Sequence, residues 1–190
     1  MTKIVIHDYQ PFWAQEFAEI ATSLRALLGD LVLRIDHIGS TAVPGLAAKD
    51  VIDLQITVVA LANDEVSGSL AQAGYRETPN VWDNLVGVPD RSEQLAKRFF
   101  VQPEGQRRAH VHVREAGRLN QQYPLLFRDY LRHEPAARHA YQAIKQALAE
   151  RFADDVEAYY AIKDPYMDTV YQAASWWAQV TRWQPDEDFR

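Results

Sequence analysis

The most informative stretch of this chain is HIGSTAVPGLAAKDVID, residues 37–53. It carries a loop rich in Gly, Ser and Pro between two segments with the character of β-strands. Before the loop, apolar and polar side chains alternate over residues 31–38, which is strand periodicity. After it, residues 51–59 are apolar and largely β-branched, which is typical of a central strand covered on both faces. The stretch therefore predicts a strand, a turn and a second strand that contains Asp53.

The segments that flank this stretch predict further helices and strands. Apolar side chains recur at three- and four-residue steps over residues 11–28, which predicts a helix. A shorter helix is expected over residues 64–73. Two more strands are expected at residues 99–101 and 108–114, joined as a hairpin around Pro103-Glu104-Gly105.

After Gly117 the pattern becomes helical. Helices are expected over residues 120–133, 136–152 and 154–180. Pro165 lies inside the last of these segments and is expected to kink or restart that helix, because proline lacks the backbone N–H that an interior position donates.

This order of elements defines the expected fold class. A helix, then strands with one crossover helix, then a helical half predicts an α+β protein. A mixed sheet of about four or five strands is expected. The sequence predicts a single domain over residues 1–182, with an α/β half at about 1–117, a helical half at about 118–182, and a polar tail at 183–190.

Composition excludes several classes of protein. The chain has 190 residues, of which 47% are hydrophobic and 24% are charged. A chain of this size and composition can fold around one hydrophobic core without disulfide bonds or structural metal ions. The absence of cysteine excludes disulfides, thiolate zinc sites and cysteine nucleophiles. The longest stretch without Asp, Glu, Lys or Arg covers residues 169–181, too short to span a bilayer, and the N-terminus lacks the apolar run of a signal peptide. A cytoplasmic protein with no membrane partner is expected.

The charge is negative overall and unevenly spread. A net charge of −6 makes nucleic acid an unlikely partner, because nucleic-acid binding needs a basic surface. Residues 91–118 nevertheless contain seven Lys or Arg against three Asp or Glu. This basic segment either binds a phosphorylated small molecule or is a solvent-exposed surface with no ligand.

The strongest chemical signal is the spacing between Gly39-Ser40 and Asp53. A Gly-Ser turn that leaves a strand exposes backbone N–H groups, which can hold a phosphate. A carboxylate in the neighbouring strand could hold a divalent cation that bridges phosphate oxygens. The alternative is a hydrogen-bonded Asp at the strand's end that caps the loop, since a lone buried carboxylate needs a partner.

The run from His37 to Lys49, followed by Val51-Ile52-Asp53, strongly resembles the signature of the GrpB family. That family is similar to the nucleotidyltransferase superfamily, in which a Gly-Ser or Gly-Gly turn precedes an acidic strand. Shorter pieces resemble other landmarks of the family in the same order: Tyr9, Trp13 and Phe17, then His110-Val111-His112-Val113, then Phe127-Arg128-Asp129-Tyr130-Leu131, then Tyr159 with Lys163. The resemblance implies a nucleotidyltransferase-like mixed sheet followed by a helical C-terminal half.

The sequence departs from the family pattern at two positions. The family usually has Pro after the lysine, and this chain has Asp50. Active nucleotidyltransferases usually carry a second acid two residues after the first, and this chain has the neutral Gln55. Many members of the family also lack that acid. Because a two-metal mechanism depends on both carboxylates, the resemblance implies the fold more firmly than the activity.

Two histidines could complete a metal site. His110 and His112 lie two residues apart on a predicted strand, so their imidazoles share one face. Together with Asp53 they could hold a metal ion or replace the missing carboxylate. The alternative is that the pair lines a polar cleft and hydrogen-bonds to a ligand or to the backbone. For His37, a hydrogen bond that supports the loop is the preferred interpretation.

Three cationic residues are candidate phosphate ligands. Lys49 lies beside the Gly-Ser loop, Arg128 offers a bidentate fork, and Lys163 offers a point charge. The alternative for Arg128 is an ion pair with an acid on an adjoining helix. The alternative for Lys163, four residues after Tyr159, is a stem that packs on an aromatic ring. Trp176-Trp177 is expected in the core or in a contact between two copies of the chain, which leaves a homo-oligomer open.

These observations predict a protein that binds a nucleotide or another phosphorylated small molecule, with metal-dependent nucleotidyl transfer as an extension. In that mechanism Gly39 and Ser40 hold the phosphates, and Asp53 holds Mg²⁺ or Mn²⁺, with Zn²⁺ or Ni²⁺ less favoured. The rival is a non-catalytic ligand-sensing or partner-binding module on the same fold, which Gln55 favours. A metal hydrolase built on the His and Asp residues is the third interpretation.

Overall fold

A computed structural model describes residues 3–89 and 91–185 of the chain. Of the predicted polar tail, residues 186–190 lie outside the described residues. Trp183, at the start of that tail, donates its indole N–H to the Asp129 carboxylate at 3.1 Å.

The elements confirm the predicted α+β class. The helices are α1 (Phe12–Leu28), α2 (Glu65–Gln72), α3 (Leu119–His133), α4 (Pro135–Arg151) and α5 (Val156–Thr181). The strands are β1 (Arg34–Ile38), β2 (Ile52–Val58), β3 (Arg76–Glu77), β4 (Arg98–Val101) and β5 (Ala109–Glu115). The two-residue strand β3 has no counterpart in the sequence prediction, since it is too short to show a periodicity.

The five strands form one mixed sheet in the order β1-β2-β5-β4-β3. The central pair β2 and β5 is parallel, and the remaining neighbours are antiparallel. In the parallel register Asp53 lies opposite His110, and Gln55 lies opposite His112. The strands that carry Ile35, Asp53 and His112 therefore share one sheet, as the sequence predicts.

The two faces of the central strands differ in chemistry because successive side chains point to opposite faces. One face is apolar and packs against α1 and α2 in the main core, through residues such as Ile52, Leu54, Ile56, Val111 and Val113. The other face carries Asp53, Gln55, His110, His112 and Arg114. The prediction that β2 is central is confirmed, but its second face is polar.

Side chains of α3 and α4 hold the loop between β1 and β2. Arg132 donates to the carbonyl of Ala42, and the side chain of Gln142 accepts from the backbone N–H of Ala47. Val43 and Leu46 from this loop join an apolar cluster with residues of α3, α4 and α5. The helical half therefore fixes the conformation of the Gly-Ser loop.

Helix α5 runs through Pro165 as one continuous helix, so a restart at that residue is wrong, while a kink there stays a prediction. Proline removes one backbone hydrogen bond from the helix. Contacts of α5 with α3 and α4 place this segment in a packed bundle, which holds the helical path on both sides of Pro165. Within residues 3–89 and 91–185, none of the helices is long and apolar enough to cross a membrane.

Arg128 lies in the core, with its side chain fully buried. Its guanidinium donates to the backbone carbonyl of His37 at 2.8 Å and forms an ion pair with Asp129 at 2.7 Å. The structure shows an ion pair, as in the alternative interpretation of this arginine, but the acid is the next residue of the same helix. Arg128 thus ties α3 to the end of β1, directly before the Gly-Ser turn.

We expect Arg128→Met to lower the free energy of unfolding by about 1–3 kcal/mol, because it leaves the buried carbonyl of His37 without this donor, while Asp129 keeps its pair with Arg132. Chemical denaturation measures this change. Lys163→Met is the matched control: its partner Asp164 is 59% exposed, so the pair contributes about 0–1 kcal/mol. Equal stability loss in the two variants would contradict the anchoring role of Arg128.

Candidate functional site

A cavity of about 610 Å³ opens on the polar face of the sheet. The sheet forms its floor, the Gly-Ser turn and Lys49 form one rim, and residues 80–85 form another. Helices α4 and α5 close the remaining side with Tyr141, Lys145, Tyr160 and Lys163. This volume lies within the usual range for small-molecule sites, about 300–1,000 Å³.

The Gly-Ser turn fits against Asp53 because residue 39 has no side chain. A Cβ atom at Gly39 would lie 2.5 Å from Oδ2 of Asp53, and Gly39 has φ +71° and ψ −170°. That backbone region is essentially restricted to glycine. The hydroxyl of Thr41 lies 3.0 Å from Nε2 of His37, which confirms the predicted supporting role of that histidine.

The departure at Asp50 has a structural explanation. Its carboxylate accepts the indole N–H of Trp13 at 2.8 Å and pairs with Arg107 beyond the β4–β5 hairpin turn. A proline at this position has no side-chain acceptor for these donors. Asp50 therefore ties the end of the loop to α1 and to the start of β5.

Asp53 and the two histidines are neighbours, as the sequence predicts. Nδ1 of His110 lies 3.1 Å from Oδ1 of Asp53, and Nε2 of His112 lies 3.9 Å from the same oxygen. Burial alone would raise the pKa of Asp53, but the interactions with His110 and His112 outweigh burial and hold the pKa well below its usual range. Asp53 is therefore a carboxylate at neutral pH.

The predicted three-residue metal site does not have ligand geometry in the part of the chain that the structure describes. No group of three or more His, Cys, Asp or Glu side chains there is arranged to hold a metal ion. The proximity of Asp53, His110 and His112 is confirmed, while metal binding stays a prediction.

The position of the second acid is occupied by a fully buried glutamine. Oε1 of Gln55 accepts from Arg114 at 2.8 Å, and its Nε2 donates to the carbonyl of Gln121 at 2.9 Å. Arg114 also forms an ion pair with Asp83 at 2.9 Å, and Lys97 reaches the same carboxylate at 2.6 Å. On this wall of the cavity, the cations of Arg114 and Lys97 therefore share one carboxylate, that of Asp83.

Burial and the cation of Arg114 lower the pKa of His112 to about 4. His112 is therefore neutral at physiological pH, although it lies close to Asp53. Its ring also stacks on Phe99, with 4.7 Å between the centroids, so the floor of the cavity combines a polar patch with an aromatic surface.

The opposite wall carries an amine that the sequence analysis missed. Lys145 is 2% exposed, and its Nζ donates to Oγ of Ser40 at 2.9 Å and to the carbonyl of Ala47 at 2.6 Å. Burial, together with the charges of Lys163 and Lys49, lowers the pKa of Lys145 to about 7. Among the described residues, no carboxylate oxygen lies within ion-pair distance of this amine.

A signal for Lys145 is present in the sequence. Tyr141, Lys145 and Leu148 follow one another at steps of four and three residues, so the lysine lies on the buried face of α4. A lysine on a buried face is rare unless it has a partner or a ligand. The partner, Ser40, is 105 residues away, so local pattern could not identify it.

Seven of the eight predicted site residues meet in the cavity: Gly39, Ser40, Lys49, Asp53, His110, His112 and Lys163. The exception is Arg128, which lies in the core and not among the residues that line the cavity. The sequence predicts that Arg128 contacts phosphate; its guanidinium instead contacts the end of β1, directly before the Gly-Ser turn. Lys49 and Lys163 both lie against the ring of Tyr160, at 4.5 and 5.0 Å from its centroid.

A mixed sheet with a Gly-Ser turn packed on an acidic strand is a nucleotidyltransferase-like fold. The family model described as "GrpB protein" matches residues 3–173, so the chain belongs to the GrpB family. A crystal structure of a conserved GrpB protein from Enterococcus faecalis is similar with a TM-score of 0.73 and 29% identity, and covers 91% of this chain and 99% of that one.

More distant likeness supports the fold. The structure of a cytoplasmic RNA terminal U-transferase is similar with a TM-score of 0.50 and 16% identity, over 76% of this chain and 43% of that one. A protein named dephospho-CoA kinase, from Mycolicibacterium paratuberculosis, is 37% identical over 191 residues, covering 92% of this chain and 47% of that protein. The chain thus spans about half the length of this curated relative.

We expect Gly39→Ala to destabilise the fold more than Gly45→Ala. Both residues have positive φ, so each substitution costs about 1–3 kcal/mol of backbone strain. Only at residue 39 does the new methyl group also meet the Asp53 carboxylate, whereas nothing lies within 4 Å of a Cβ at residue 45. Thermal melts compare the two variants, and a larger loss for Gly45→Ala would contradict the close packing of the turn on Asp53.

Proposed function

We propose that this protein binds a phosphorylated small molecule in the cavity, with a nucleotide as the favoured class. The observation that carries the proposal is the buried amine of Lys145 beside Ser40, which faces the cavity with no carboxylate in ion-pair distance among the described residues. A buried amine in this position favours an anionic ligand, because burial of an uncompensated charge is costly.

Neighbouring charges support a phosphate in particular. Lys49 and Lys163 lie close enough to Lys145 to lower its pKa, so three amines surround one end of the cavity. A phosphate group would relieve their mutual repulsion and accept charge-assisted hydrogen bonds from them. Ser40 and the Gly-Ser backbone lie at the same rim and could hold further phosphate oxygens.

The aromatic lining of the cavity supports a nucleotide over a bare phosphate. Trp82, Phe99 and Tyr123 line the cavity together with the amines. Aromatic rings of this kind can stack on a base, which contributes about 1–3 kcal/mol. The cavity volume also exceeds what an inorganic phosphate requires.

The kinase name of the longer relative does not carry over to this chain. The sequence has no Gly-x-x-x-x-Gly-Lys-Ser/Thr segment, the loop that cradles phosphates in P-loop kinases. The name belongs to a protein of which this chain matches 47%. Phosphate binding is therefore proposed from the cavity itself.

Nucleotidyl transfer is the second candidate, and the placement of Asp53 against the Gly-Ser turn favours it. The neutral Gln55, held by Arg114, weighs against it because the second carboxylate is missing. These residues therefore favour a protein that binds the nucleotide without transferring it, as a ligand sensor does. Incubation with ATP, Mn²⁺ and a candidate acceptor, followed by mass spectrometry, distinguishes the two: an acceptor that carries AMP, formed together with pyrophosphate, would establish transfer.

We expect isothermal titration calorimetry to detect ATP or pyrophosphate binding, and Lys145→Met to weaken it about ten- to a hundredfold. A hydrogen bond to a charged group contributes about 1.5–3 kcal/mol, which sets this range. Lys3→Met is the control, since Lys3 is exposed and lies away from the cavity. If neither probe binds the wild-type protein, the proposed function is wrong.

We also expect binding to take up protons at about pH 8. There the amine of Lys145 is mostly neutral, because burial and the charges of Lys163 and Lys49 lower its pKa to about 7. A bound phosphate raises that pKa again, so the amine gains a proton. Titrations in buffers of different ionisation enthalpy measure the uptake, which should decline towards about pH 6, where the amine is already charged. Unchanged uptake in Lys145→Met would assign the protons to another group.

A further inference from the structure

We infer that the cavity binds its phosphorylated ligand without a divalent cation, and that Lys49, Lys145 and Arg114 supply the countercharge. The inference rests on the proposed function and specifies how that site recognises phosphate. In a metal-dependent site, paired carboxylates hold the ion and the ion meets the phosphate. Here the residues in those positions have other hydrogen-bond partners.

The first observation is the state of Gln55. Both ends of its amide are engaged, the oxygen by Arg114 and the nitrogen by the carbonyl of Gln121. The residue is completely buried. Gln55 therefore has no oxygen turned towards a metal ion that Asp53 would share.

The second observation concerns the protons on the two histidines. Nδ1 of His110 faces a carboxylate oxygen of Asp53 at 3.1 Å, and since a carboxylate only accepts, that nitrogen donates. Nδ1 of His112 faces the guanidinium of Arg114 at 3.3 Å, and since Arg only donates, that nitrogen accepts. A neutral His112 consequently carries its proton on Nε2, the atom nearest to Asp53. In this arrangement the nitrogens closest to Asp53 carry protons, which a metal ion would have to displace.

The third observation is the charge on the walls. Arg114 and Lys97 share the single carboxylate of Asp83 on one side, and Lys49 and Lys145 face the cavity without a carboxylate in ion-pair distance on the other, within the described residues. Fixed cations on two sides repel a divalent ion and attract a phosphate. The lysine amines therefore neutralise the phosphate charge, which a bound metal ion does in a metal-dependent site.

The test compares ATP and pyrophosphate binding to the wild-type protein in excess EDTA and in excess Mg²⁺ or Mn²⁺, by calorimetry. We expect the affinity in EDTA to equal or exceed that with metal, because the metal competes for the phosphate oxygens. Binding that disappears in EDTA and returns with Mg²⁺ or Mn²⁺ would overturn the inference and leave the proposed function standing. An absence of binding under both conditions would overturn the proposed function, and the inference with it.

A substitution at Asp53 gives a second test, because a metal-mediated site and a metal-free site predict opposite changes in ATP affinity. In a metal-mediated site Asp53→Asn removes a ligand and should weaken ATP binding more than about tenfold. In a metal-free site it removes a negative charge near the phosphate, and the affinity should stay the same or rise. A thermal melt confirms that the variant is folded, and if it is not, the wild-type comparison in EDTA decides alone. Lys49→Met is the matched variant, which should weaken binding equally in EDTA and in Mg²⁺.

Discussion

The close contact between the backbone of Gly39 and the carboxylate of Asp53 is the constraint on which the site depends. A side chain at residue 39 would collide with Oδ2 of Asp53, so the turn must be formed by glycine. The contact sets the distance between the turn at the end of β1 and the acidic strand β2. It also places Ser40 at the rim of the cavity, where an amine from α4 can reach it.

The helical half contributes more than a cover for the sheet. Four side chains of α3 and α4 bond to the main chain between residues 37 and 47: Arg128, Arg132, Gln142 and Lys145. These contacts satisfy backbone groups of an irregular loop, which would otherwise need water. The loop geometry and the cationic wall therefore depend on the same helices, and a change in their packing affects both.

Charge is segregated within the cavity. Asp53 and the two imidazoles occupy the floor, the three amines of Lys49, Lys145 and Lys163 occupy one end, and the network of Asp83, Lys97 and Arg114 occupies the other. In this member of the GrpB family, Asp53 lies against two histidines, and the cations lie on the walls of the cavity. The fold is nucleotidyltransferase-like, and residue 55 is a neutral glutamine.

The sequence by itself determined most of the secondary structure and much of the site, although it missed the short strand β3. Periodicity identified the helices, the central strands and the β4–β5 hairpin to within a few residues, and the spacing of Gly39, Ser40 and Asp53 identified one rim and the floor. These features depend on local pattern and on strand pairing, which residue order largely encodes. Only the tertiary structure decided that Arg128 anchors α3 to the end of β1 and that Lys145 lines the cavity. Their partners lie 91 and 105 residues away, and whether a buried cation faces a carbonyl or a cavity depends on how the helices pack on the sheet.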